Sequence, residues 1–176
     1  ATGAVAGICP STEANLGDGI FDMPAWLSAG GQWGLGSDSH ATVNAAEELM
    51  LLEYSQRLQT RQRNVLATAP QRHTATAMTL AAVAGGAQAS GRAVAGLAVG
   101  QQADWVVLDA RHLALAGLSA ADRLSAHVFA SHRTSAVQAV WVAGRQRVTA
   151  GRHGQHEPAA QAFVAARKQL LDEATE

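Results

Sequence analysis

One seven-residue stretch limits what this chain can fold into. Gly34-Leu35-Gly36-Ser37-Asp38-Ser39-His40 joins a short apolar strand to the longest helical pattern in the sequence. Trp33 to Ser37 reads as the strand. From roughly Val43 to Asn64 the residues Val43, Ala46, Met50, Leu51, Tyr54 and Leu58 fall on one helical stripe. Glu53 stands four residues before Arg57, the spacing of a surface ion pair. Thr42 or Ser39 is placed to cap the helix start. A strand that leads into a helix is a βα unit, and another precedes it. Ala4 to Cys9 is an apolar run ended by Pro10, residues 11–19 are polar and turn-rich, and Pro24 to Ala29 is helical with Gly30-Gly31 behind it.

Downstream, Thr74 to Gln88 reads as a helix rich in alanine, able to pack closely on a neighbour. The texture changes from Gly96. Ala103 to Asp109 reads as a strand, and residues 119–130 as a helix with Leu124, Val128 and Phe129 on its apolar side. Val137 to Ala143 and Gln146 to Thr149 flank Gly144-Arg145 as a β-hairpin. Gly151 to Pro158 reads as a polar loop and Ala159 to Glu173 as an amphipathic helix. The class is therefore α/β: two βα units followed by a separate sheet. A complete (β/α)₈ barrel needs roughly 250 residues. The 176 residues here cannot hold one, but they can hold its last quarter.

Composition narrows the partners. With 48% hydrophobic and 15% charged residues the chain can bury a core, and its net charge of −1 gives no electrostatic case for nucleic acid or an anionic membrane. The single cysteine, Cys9, excludes an intramolecular disulfide and suits a reducing compartment. No apolar run approaches the ~20 residues of a membrane span, and the N-terminus lacks signal-peptide regions. The chain opens without methionine, almost directly in a strand. The reading is a soluble, cytoplasmic chain cut from a longer one.

Asp38 is the candidate for chemistry. At the C-terminal end of a parallel strand a side chain points into the crevice where barrel enzymes react. A carboxylate there can bind a divalent metal and take a proton from its water. Locally, a second reading stays open: Asp38 or Ser39 caps the following helix. A phosphate loop at Gly34-x-Gly36 lacks its third glycine and its Lys-Ser/Thr. Glu13, Asn15 and Asp18 sit in the loop after the first strand and serve either its hydrogen bonding or the substrate. His40 either orients the carboxylate or its loop, or packs. Cys9 reads as an inert core thiol, Trp105 and Trp141 as core, and His153 with His156 as solvated surface rather than a metal pair.

Longer segments carry a resemblance. Cys9-Pro10-Ser11-Thr12-Glu13-Ala14-Asn15-Leu16-Gly17-Asp18-Gly19-Ile20-Phe21, Gly36-Ser37-Asp38-Ser39-His40, Glu47-Glu48-Leu49 and Leu52-Glu53-Tyr54-Ser55-Gln56-Arg57-Leu58 resemble the formimidoylglutamate deiminases. Gly100-Gln101-Gln102-Ala103-Asp104-Trp105-Val106-Val107-Leu108-Asp109 and Val140-Trp141-Val142-Ala143-Gly144-Arg145 resemble the strand and closing hairpin that follow the barrel across the amidohydrolase superfamily.

The resemblance implies the last two βα units of a (β/α)₈ barrel over residues 1–95. It implies part of a small β-sandwich with a packing helix over 96–150, and a loop with the C-terminal helix over 151–176. It also implies a hydrolase that turns N-formimidoyl-L-glutamate and water into N-formyl-L-glutamate and ammonia, a step of histidine degradation. The cofactor would be one divalent metal, commonly zinc, which lowers the pKa of bound water from ~16 toward ~7. Asp38 would be both a metal ligand and the proton carrier, with His40 and Ser39 behind it and Glu13 and Asn15 in the substrate loop.

The family's other ligands begin with an H-x-H pair, which is absent from His40, His73, His112, His127, His132, His153 and His156. The chain alone is therefore expected to be inactive. Its implied partner is a small-molecule substrate, with homo-oligomerisation left open. The rival readings are another aminohydrolase of the superfamily, acting on purines or triazines, and a non-catalytic remnant serving as a structural module.

Overall fold

The computed structural model describes residues 2–40, 42–130 and 135–174; His132 falls outside them. β1 (Val5–Ile8) and β2 (Gln32–Leu35) run in parallel, with Val5 opposite Gln32 and Ile8 opposite Leu35. Parallel neighbours cannot be joined by a tight turn. Their connection carries α1 (Pro10–Leu16) and α2 (Met23–Ser28). After β2 come α3 (Ala45–Thr60) and α4 (Thr74–Ser90), and α4 packs on both strands. The second sheet is antiparallel in the order β3 (Trp105–Leu108), β4 (Val137–Val142), β5 (Arg145–Thr149) and β6 (Arg152–His153). Between β3 and β4 the chain forms α5 (Ala120–Phe129), which packs on α3 and α4, and it closes with α6 (His156–Glu173).

Ile8, Met23, Trp33, Leu49, Leu52 and Met78 form the buried centre, and Val128 of α5 joins them. The seat of α4 on β2 is made by glycines. A Cβ at Gly85 would lie 1.9 Å from the Trp33 carbonyl oxygen, and one at Gly34 would lie 3.3 Å from the Gly86 nitrogen. Backbone meets backbone there, which is the close packing the alanine-rich pattern of α4 implies.

Several expectations need correction. Residues 11–19 are not all loop, because Pro10 opens α1 and the Glu13 carboxylate accepts the Cys9 N–H at 2.8 Å. Proline preset at a first helical position with an acid in the first turn is a helix start. α3 is capped by Asn44, not by Thr42 or Ser39: its Oδ1 accepts from Ala46 N at 3.1 Å and Glu47 N at 3.4 Å.

The buried face of α3 is also rotated from the expected stripe. It holds Ala46, Glu48, Leu49, Leu52, Glu53 and Gln56, while Val43 and Leu58 are 84% and 80% exposed. Glu53 does pair with Arg57, at 2.7 Å, but as a buried acid that also accepts the N–H groups of Val65 and Leu66 at 3.0 Å. That ties the 61–67 segment to α3. Arg57 lies half-buried over Tyr54 and Phe129 rather than free in solvent. Trp105 and Trp141 stack across β3 and β4 at 5.3 Å, half-buried on the sheet rather than in the core. The polar stretch after Gly151 holds β6 and the start of α6.

Candidate active site

β1 and β2 end together, and just past β2 the Gly36 N–H donates to the Ile8 carbonyl at 3.1 Å. A Cβ at Gly36 would stand 3.5 Å from Cys9 Sγ, so the two strand exits are in contact. Immediately beyond, Ser37 to His40 form a four-residue turn closed by His40 N donating to Ser37 O at 3.0 Å. Asp38 is the second residue of this turn, exposed, with a left-handed φ of 48°. Few residues other than glycine hold that conformation, and aspartate is among them. The cap of α3 belongs to Asn44, so the carboxylate of Asp38 is not spent on that helix.

The first turn of α1 braces this turn. Thr12, 3% exposed, donates its hydroxyl to Ser37 O at 2.6 Å and accepts from His40 N at 3.1 Å. Glu48, 2% exposed on α3, accepts both the Ser11 N–H, at 2.9 Å, and the Ser11 hydroxyl. The His40 ring turns to the following backbone, its Nδ1 accepting from Thr42 N at 3.0 Å.

Electrostatically the strand exits are negative. Burial pushes the Cys9 thiol up from its ordinary value, and the charges of Asp38, Glu13 and Glu48 push it further, against a hydrogen bond from Gly36 that pulls it down. A thiol held protonated is a poor nucleophile. That accords with the reading of Cys9 as inert.

The described residues therefore gather Asp38, Glu13, Cys9 and His40 at one end of the parallel strands. Asn15 and Ser39 are exposed nearby in sequence, on α1 and in the turn. His153 and His156 lie apart, exposed on β6 and α6. A groove of about 530 Å³ between α1 and α3 is lined by Pro10, Glu13, Phe21, Leu51, Tyr54 and Gln56 among others, without Asp38.

Among the described residues no group of three or more His, Cys, Asp or Glu could hold a metal ion. A catalytic zinc site takes three protein ligands, and Asp38 offers one. Sequence reasoning missed Ser11, Thr12 and Glu48 as the supports of the site. The usable signal was a pair of hydroxyl residues between Pro10 and Glu13, where a first helical turn leaves N–H groups to be satisfied.

A parallel pair of strands with an acid past its ends, packed with helices and followed by a separate antiparallel sheet, makes the chain an α/β protein. The sequence profile of the amidohydrolase family matches residues 1–148, and the chain belongs to that family. It is 47% identical over 171 residues to formimidoylglutamate deiminase of Pseudomonas aeruginosa, a match that covers 97% of this chain and 38% of that protein. The chain thus spans well under half the length of that relative. Among solved structures, an amidohydrolase from Brucella melitensis superposes with a TM-score of 0.87 at 43% identity, over 96% of this chain and 36% of its own. An adenosine deaminase from Xanthomonas campestris with bound zinc superposes at 0.76 and 24% identity over 95% of this chain and 36% of its own, a likeness of fold alone.

Proposed function

We propose that this chain is the C-terminal portion of a deiminase that hydrolyses N-formimidoyl-L-glutamate to N-formyl-L-glutamate and ammonia. It would contribute the last two βα units of a (β/α)₈ barrel, part of a small β-sandwich and the closing helix. The observation that carries the reading is 47% identity across 97% of the chain to a protein of that activity. The placement of Asp38 supports it: an exposed carboxylate, free of the α3 cap, just past the paired strand ends.

The chemistry asked of Asp38 is proton transfer. Water attacks the formimidoyl carbon, and Asp38 accepts the proton that the attacking oxygen sheds. The carboxylic acid returns it to the imine nitrogen, leaving a tetrahedral centre with one hydroxyl and one amino group; the same carboxylate then carries the hydroxyl proton to that nitrogen as the C–N bond breaks, so that ammonia leaves and the carbonyl forms. One group acting as base and then acid contributes about 10²–10⁴-fold to such a step.

A divalent metal, zinc by the family reading, would supply an activated water when bound. The described residues offer it one donor, Asp38, so the remaining ligands fall outside them. The same reading gives a small-molecule substrate and a cytoplasmic enzyme. No helix among the described residues is long and apolar enough to cross a membrane.

The test is Asp38→Asn in the full-length protein, assayed by ammonia release from N-formimidoyl-L-glutamate. Turnover should fall by about 10²–10⁴-fold while the thermal unfolding midpoint stays near that of the parent. A near-normal rate removes Asp38 from the mechanism.

A further inference from the structure

We infer that Thr12 is a positioning residue for Asp38: its buried hydroxyl clamps both ends of the Ser37–His40 turn and thereby sets the direction of the carboxylate. The inference rests on the reading of Asp38 as the proton carrier. Its basis is a pair of hydrogen bonds to two groups that already bond each other. The turn closes itself through His40 N and Ser37 O at 3.0 Å, and the Thr12 hydroxyl donates to that same oxygen at 2.6 Å while accepting from that same N–H at 3.1 Å. Between the clamped ends sits Asp38 with its φ of 48°. A left-handed non-glycine residue persists where its surroundings over-determine it.

Thr12 is itself held. Its neighbour Ser11 is bound through both N–H and hydroxyl by the buried Glu48, and Cys9, one turn earlier, is bound through its N–H by Glu13. A β-branched side chain has little χ1 freedom, so the hydroxyl is fixed once this backbone is fixed. Order passes from α3 through Glu48 to Ser11, from Thr12 to the turn, and from the turn to the carboxylate. A proton carrier must meet both the attacking oxygen and the leaving nitrogen, and a displacement of about 1 Å can cost about 10²-fold in rate.

The experiment compares Thr12→Val, which keeps the shape and loses both bonds, with Thr12→Ser, which keeps the hydroxyl and loses a methyl. In the full-length protein Thr12→Val should lower kcat by about 10–100-fold with KM within about twofold of the parent. Thr12→Ser should recover most of the loss.

The inference is overturned if Thr12→Val turns over normally. It is also overturned if the valine and serine variants are equally slow, because packing and not the hydroxyl would then be at stake. Should the valine variant not fold, Thr12→Cys keeps a side chain of similar size with a weaker donor and must show the same loss in kcat. An inactive Asp38→Asn beside a fully active Thr12→Val sinks this inference alone; an active Asp38→Asn sinks the reading beneath it.

Discussion

Gly85 and Gly86 are adjacent in α4 and make opposite demands. A Cβ at Gly85 would overlap the Trp33 backbone, at 1.9 Å from its oxygen and 2.4 Å from its carbonyl carbon, whereas a Cβ at Gly86 meets nothing within 4 Å. Neither end of that first contact is a flexible side-chain tip, so helix and strand must part to admit a methyl group. Gly85→Ala is expected to destabilise by about 1–3 kcal/mol, as overpacking of a close interface does. Gly86→Ala should stabilise by about 0.5–1 kcal/mol, since it removes only the entropy cost of glycine inside a helix. Denaturant unfolding of the two variants reads both. Equal effects would mean that α4 does not sit on Trp33 as described. This pair also marks a limit of reading the sequence. The alanine-rich pattern of α4 announced close packing, but nothing in Gly85-Gly86 told which glycine takes the contact.

At the scale of elements, the difference between expectation and structure follows the buried polar groups. α3 was legible as a helix from its periodicity. Its buried face was not, because Glu48, Glu53 and Gln56 lie inside, where hydropathy alone would not put them. Each is there to bind backbone: Glu48 holds Ser11, Glu53 holds Val65 and Leu66, and Gln56 donates to the Phe21 carbonyl at 2.9 Å. A buried acid is tolerable when its oxygens are so engaged. For the candidate site, the position of Asp38 just past its strand end was legible, whereas the bracing by Thr12 is a long-range contact that no local pattern encodes.

α5 carries a titratable group of the same kind. Burial of His127 pushes its pKa below the ordinary 6.5, and the charge of His112 adds to the shift. Above about pH 6.5 the imidazole is neutral in both folded and unfolded chains and costs nothing. Below it the unfolded chain takes up the proton first, so folding stability falls until the pH has passed the folded pKa. Unfolding midpoints measured from pH 7.5 down to 5.5 should decline, and His127→Gln should decline less. Parallel slopes in the two proteins would remove His127 as the cause.

At the scale of the whole molecule, two facts point the same way. The surface carries large apolar side chains that are well exposed. α6 has no buried residue, and Phe163, Leu170 and Leu171 on it are 62%, 66% and 63% exposed. Apolar surface on this scale marks contact with something else. The chain also spans 38% of the deiminase it resembles, and among its described residues no group of three or more His, Cys, Asp or Glu could hold a metal ion. A single exposed carboxylate has no chelate partners to offset the loss of an ion's hydration, so it cannot retain zinc at micromolar levels. Produced alone, the 176-residue chain is therefore expected to self-associate in sedimentation, to enhance the fluorescence of a hydrophobic dye, to lose added zinc on dialysis, and to release no ammonia from N-formimidoyl-L-glutamate. A monodisperse monomer that kept one zinc per chain and turned over substrate would overthrow this. It would require a complete donor set within these 176 residues.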